Sequence, residues 1–119
     1  MSFREHLQDV CTSVDGAVAC SLMGVDGIEV DTLVSDQGDL DLKSLLVEYS
    51  GVFRNARDAA DVHQAGGISE VSINTDKLVT VARLVSPDYF MVVALRPEGN
   101  YGKARYLLRI TAPKVRAEL

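Results

Sequence analysis

Residues 41–64, DLKSLLVEYSGVFRNARDAADVHQ, read as one long amphipathic helix. Leu42, Leu45, Leu46, Tyr49, Val52, Phe53, Ala56, Ala59, Ala60 and His63 recur at three- and four-residue steps, the spacing that stacks side chains on one helical face. They fill an arc of roughly 140°, broader than the ~100° stripe needed to cover one surface. The excess width predicts two neighbours for this helix. Lys43, Ser50, Arg54, Arg57, Asp58 and Asp61 fall outside the arc, Asp39 or Asp41 is placed to cap the first turn, and Gly66-Gly67 to end the last. The helix is expected to be about 36 Å long, most of the width of a small domain.

Outward from that helix, Ser2 to Val14 has helical spacing in Phe3, Leu7, Val10, Cys11 and Val14, with Ser2 and Glu5 at capping-box positions. Ala17–Met23 is short and apolar, Gly24-Val-Asp-Gly27 offers a hairpin turn, and 28–35 alternates as an edge strand with charge on one face. Asp36-Gln-Gly-Asp39 forms the loop into the long helix. Beyond it, 68–74, 78–85 and 89–95 read as a three-stranded meander, and the last of these is apolar on both faces, as a central strand is. A final helix is predicted from about Lys103, with Ala104, Leu107, Leu108, Thr111 and Val115 inward and Pro113 loosening its end. The order is α-β-β-α-β-β-β-α, an α+β arrangement, and the 119 residues are read as a single domain, 1–119.

The chain carries a net charge of −5, unevenly spread. Asp26, Glu29, Asp31, Asp36, Asp39 and Asp41 form an acidic stretch, whereas Lys103, Arg105, Arg109, Lys114 and Arg116 crowd the C-terminal segment. An acidic chain with little aromatic interleaving argues against nucleic acid as a partner. The longest apolar run, Tyr89 to Leu95, is too short to span a bilayer, and MSFREHLQ lacks the apolar core of a signal peptide. Cytoplasmic localisation is expected, with Cys11 and Cys20 as buried reduced thiols.

No constellation for catalysis stands out. His6 and His63 have no convergent ligands, so no metal is expected, and no nucleophile sits with a base and an orienter. The acidic loop fails the EF-hand test: from Asp36 the sixth position is Asp41 and the twelfth Val47. Gly99-x-x-Gly102-Lys103 lacks the spacing and the hydroxyl of a phosphate loop, which leaves a flexible junction and no cofactor. Arg54 and Arg57 point away from the apolar arc. An arginine delivered in trans to a GTPase is worth about 10³–10⁵ in rate, but Asp58 and Asp61 lie four residues on and are placed to pair with them. Val47, Gly51 and Val62 also lie opposite the arc. Isolated exposed valines are ordinary; the alternative is a stripe that docks a protein partner.

The element order, the Leu-Met-Gly-Val-Asp-Gly turn at 22–27, the alanine- and leucine-rich long helix, the apolar strand ending at Leu95 and Gly-Asn-Tyr-Gly-Lys-Ala-Arg at 99–105 together resemble the Roadblock family. That family is related to dynein light chains, and the likeness is to its short bacterial members of the MglB and MglC kind. It covers essentially the whole chain, and its strength is collective, since none of its motifs is sharp. It implies a profilin-like fold: a five-stranded antiparallel sheet with the long helix on one face and the two terminal helices on the other. It also implies a homodimer joined through the long helix and the third strand, with Leu45, Tyr49, Val52, Phe53, Ala56, Val71 and Ile73 at the seam. The implied function is that of a non-catalytic adaptor in cell polarity or motility, recruited to a cell pole. Its partners would be a Ras-like small GTPase, another Roadblock protein or a polarity regulator, met through Val47, Gly51, Arg54, Arg57, Asp58 and Val62. Two alternatives stay open: a GTPase activator that orders the GTPase's own residues, and a ligand-sensing domain of similar layout.

Overall fold

A computed structural model describes residues 2–36 and 38–119; Met1 and Gln37, the latter in the expected 36–39 loop, lie outside the described residues. The elements are α1 (Phe3–Ser13), β1 (Ala17–Gly24), β2 (Glu29–Val34), α2 (Leu42–Val62), β3 (Glu70–Asn74), β4 (Val79–Ser86), β5 (Tyr89–Leu95) and α3 (Tyr101–Arg116). The strands form one antiparallel sheet in the order β2-β1-β5-β4-β3. β5, apolar on both sides, is central, and its residues 90–95 are buried.

Two cores lie on the two faces of this sheet, because successive strand residues point to opposite sides. On one face α1 and α3 bring Leu7, Val10, Cys11, Leu108 and Val115 against Cys20, Leu22, Val81, Met91, Val93 and Leu95. On the other α2 brings Leu42, Leu46 and Phe53 against Ala19, Met23, Ala82, Phe90, Val92 and Ala94. Phe53 stacks obliquely on Phe90 at 5.4 Å, and Tyr49 on Phe53 at 6.3 Å.

Each helix starts on a side-chain cap. Ser2 accepts from the Glu5 amide, Asp41 from the Ser44 amide at 3.2 Å and Asn100 from the Lys103 amide at 3.1 Å. The Asn100 cap starts α3 at Tyr101, two residues before the expected Lys103, and the helix continues through Pro113 to Arg116. α2 departs from its expected face at Ser50, Val52, Ala59 and His63, with Val52 exposed on the side towards β3. Ser50 is buried, because its hydroxyl donates back to the Val47 carbonyl and no longer needs water. Ala59 and His63 are exposed, because the last turn runs beyond the sheet. At the far end of the fold Gly16 and Gly99 meet face to face. A Cβ on Gly16, whose φ is +85°, would lie 2.6 Å from the Gly99 Cα, and one on Gly99 would lie 2.7 Å from the Asp15 carbonyl oxygen.

Candidate functional site

The outer strand β3 hydrogen-bonds only to β4, so among the described residues its other edge is open. An open edge offers unpaired amides and carbonyls to another strand, and this one has no proline and no lysine before Lys77. Beside it, on the α2 face, Leu45, Tyr49, Ala56, Val71 and Ile73 are half-buried and Val52 is 47% exposed. Leu45 and Tyr49 also line an open cleft of about 400 Å³ that reaches Thr75–Leu78. Phe53, in contrast, is wholly buried within the chain, so six of the seven residues expected at a seam are exposed or half-buried.

The outer side of α2 carries Val47 at 41% and Val62 at 74% exposure. Gly51 lies between them, and a Cβ there would meet nothing within 4 Å. Arg54 donates to the Val25 carbonyl in the β1–β2 turn at 3.2 Å. Arg57 donates to the Pro87 carbonyl in the β4–β5 turn at 2.6 Å and pairs with the adjacent Asp58 at 3.1 Å. The expected pairs four residues apart do not form. Both arginines reach loops some thirty residues away in sequence, which helical spacing does not reveal.

Of the other readings, Asp36 pairs with Arg96 and Asp41 caps α2, so two of the loop's acids are engaged. The 99–102 junction is packed: the Asn100 amide donates to the Asp15 carbonyl at 2.9 Å while its side chain takes the Lys103 amide. Among the described residues no group of three or more His, Cys, Asp or Glu converges to hold a metal ion, and no helix is long and apolar enough to cross a membrane.

Cys11 and Cys20 were legible as buried thiols but not as a pair. The Cys20 thiol and, to a lesser extent, the Ser35 hydroxyl 3.7 Å from the Cys11 sulfur together hold the Cys11 pKa at about 6 against the opposing effect of burial. The same contact with Cys11, together with burial, pushes the Cys20 thiol well up. On α3, Arg105 is held by Glu70 at 2.9 Å, which raises its pKa, and lies 5.6 Å from the Tyr101 ring centroid.

One long helix on one face of a five-stranded antiparallel sheet, terminal helices on the other and an open third strand define the Roadblock, profilin-like class of domain. No family model matches the chain, nor does any curated protein. Solved structures do. MglC from Myxococcus xanthus is 57% identical over 100% of both chains, with a TM-score of 0.73. The chain belongs to the Roadblock family, with its likeness to MglC running from end to end. A Roadblock/LC7 domain from Streptomyces avermitilis is 15% identical over 99% of this chain and 98% of its own, with a TM-score of 0.84. Myxococcus xanthus MglB is 16% identical over 99% and 97%, with a TM-score of 0.77. At those identities the last two share the fold.

Proposed function

We propose that this protein is a non-catalytic Roadblock adaptor of the gliding-motility and polarity type, acting as a homodimer in the cytoplasm and recruited to a cell pole. The observation that carries the reading is the open β3 edge beside a partly uncovered apolar strip on α2, in a chain 57% identical to MglC. β3 pairs with its two-fold copy to extend the sheet, and Leu45, Tyr49, Val52, Ala56, Val71 and Ile73 are covered in the process, above Phe53. The outer stripe of Val47, Gly51 and Val62, flanked by Arg54, Arg57 and Asp58, meets a Ras-like small GTPase, another Roadblock protein or a polarity regulator.

Within that reading a scaffold is favoured over a GTPase activator that works through an inserted arginine. Arg54 and Arg57 are both spent on backbone carbonyls of their own chain, and freeing either one gives up a charge-assisted hydrogen bond. An activator that orders the GTPase's own residues needs no such arginine and is the second reading. A ligand sensor fares less well, since Phe53, Phe90 and their neighbours fill the space between α2 and the sheet.

Size exclusion with light scattering tests this, on the protein alone and mixed with the organism's Ras-like GTPase (GDP and GTP-analogue forms) and with its other Roadblock protein. A dimer that joins the second Roadblock protein and ignores the GTPase is the expected result for a scaffold. A shift only with the GTP-analogue form would make it an effector or activator, and a monomer that joins neither would end the proposal.

A further inference from the structure

α3 presents a basic, tyrosine-bearing face on the opposite side of the sheet from the α2 stripe, tied to β3 only where Arg105 meets Glu70. With Ala104, Leu108, Ala112 and Val115 buried, its outward side carries Lys103, Arg105, Arg109, Lys114 and Arg116. Among the described residues only Arg105 of these five is in an ion pair, with Glu70.

Helix stability does not account for all of this charge. Lys114 and Arg116 sit in the last turn, where the helix dipole favours cations. Lys103 does not: it is the third residue of the helix, where the dipole opposes a cation and a carboxylate would complete a capping box. Arg105 and Arg109 are four residues apart and repel each other.

The guanidiniums are nevertheless held in place. Arg105 is fixed between Glu70 and the Tyr101 ring, and Arg109 lies 5.5 Å from the Tyr106 ring centroid. Planar donors ordered in advance lose less freedom when a carboxylate arrives. Gly102, Arg105, Tyr106 and Arg109 line an open cleft of about 240 Å³ with Glu70. On the other flank of α3 a groove of about 150 Å³ runs against α1, lined by Val10, Leu107, Ile110 and Lys114 among others. Between them Tyr106 is 50% and Ile110 38% exposed. The face therefore offers fixed cations beside aliphatic and aromatic surface.

We propose that the α3 face docks an acidic segment of another protein that carries interspersed aliphatic residues, its carboxylates on Arg105 and Arg109 and an aliphatic side chain beside Ile110. The complementarity is local. The aliphatic surface at Leu107 and Ile110 suits an aliphatic side chain and not a phosphodiester, and two exposed apolar residues are too few for a helix that lies in a lipid interface.

The test is fluorescence anisotropy on the full chain with a labelled twelve-residue peptide, Glu-Glu-Leu repeated. It is run beside the same peptide with Ser for Glu, a single-stranded oligonucleotide of equal length and vesicles containing phosphatidylglycerol. Binding of the Glu peptide that weakens with salt is expected, with at least a ~10-fold loss in Arg109→Glu and in Lys103→Glu/Arg109→Glu. Ile110→Ser is expected to give a smaller loss, and Lys43→Glu on α2 none. Circular dichroism and the mass by light scattering should not change in any of these variants. Equal binding of the Ser peptide, undiminished binding by the Arg109 variants or no binding at millimolar peptide would overturn the proposal. Tighter binding of the oligonucleotide or the vesicles would also overturn it, assigning the face to that partner instead.

Discussion

On one face of the sheet two helices, α1 and α3, close over Cys20, Leu22, Val81, Met91, Val93 and Leu95; on the other, among the described residues, α2 is the single helix packed on the sheet. A helix is about 10–12 Å across with its side chains, and strands lie about 4.8 Å apart, so one helix covers roughly two to three strands. α2 seals the middle of its face through Leu42, Leu46 and Phe53, while Leu45, Tyr49, Val71 and Ile73 remain half-covered towards β3. The two-helix face is finished within the chain. The one-helix face is left partly uncovered beside the open β3 edge, which is the basis of the proposed pairing with a second copy. The difference teaches that the proposed dimer follows from the helix count of this fold and not from an added patch of sticky residues.

The largest expected effect comes from breaking both faces in the same way. Phe53→Ala and Leu108→Ala each remove a fully buried side chain and should cost about 2–5 kcal/mol of unfolding free energy in denaturant titration. Only Phe53→Ala should also weaken dimerisation, because it undermines Tyr49 and the seam. Next, Val52→Glu places a charge on the uncovered strip without touching the core. Dimer dissociation by light scattering should rise at least ~10-fold with little change in the far-ultraviolet spectrum; an unchanged dimer would move the seam elsewhere.

A smaller effect is expected at Thr80, whose fully buried hydroxyl has no partner among the described residues. Thr80→Val should leave stability unchanged or raise it by about 1 kcal/mol, since an unpaired buried hydroxyl carries a desolvation cost. The last belongs to the two-helix face. Cys11, lowered in the fold to about 6 from an ordinary 9.0, binds fewer protons folded than unfolded between those values. Its contribution to stability is therefore fully present near pH 9 and lost as pH falls through 6. Cys20, pushed up by Cys11 and by burial, works the other way above 9, where the unfolded chain alone loses its proton. The denaturation midpoint should rise gently from pH 6 to 9 and then turn down, and Cys11→Ser should flatten that rise.

All eight elements were legible, because the helices and outer strands carry their own periodicity, β1 and β5 are short apolar runs, and the first two helices have a cap residue in place. What escaped sequence reasoning was long-range. Ser50 reads as an outer polar residue but is buried in α2, its hydroxyl 3.5 Å from where a Cβ on Gly27 would stand. Arg54 and Arg57 read as partners of neighbouring aspartates, yet they bridge α2 to the turns at Val25 and Pro87. Long flexible cations choose among carbonyls that only the tertiary fold brings near. The Cys11–Cys20 contact has the same origin, a helix residue and a strand residue meeting across a core. For the candidate surfaces, the basic run on α3 was plain in the sequence. The Glu70 carboxylate that holds Arg105 was not, because it lies thirty-five residues away.

The Gly16–Gly99 contact limits how this sequence can drift. In most packed pairs a larger residue on one side can be tolerated once a smaller one appears opposite, so two changes in succession carry a lineage across. Here neither position has a side chain to give up: a methyl on Gly16 runs into backbone, and a methyl on Gly99 does too. No compensating second step exists. Changes on the α2 stripe or the α3 face leave this packing untouched, but the junction where the α1–β1 and β5–α3 loops interlock has to be inherited whole.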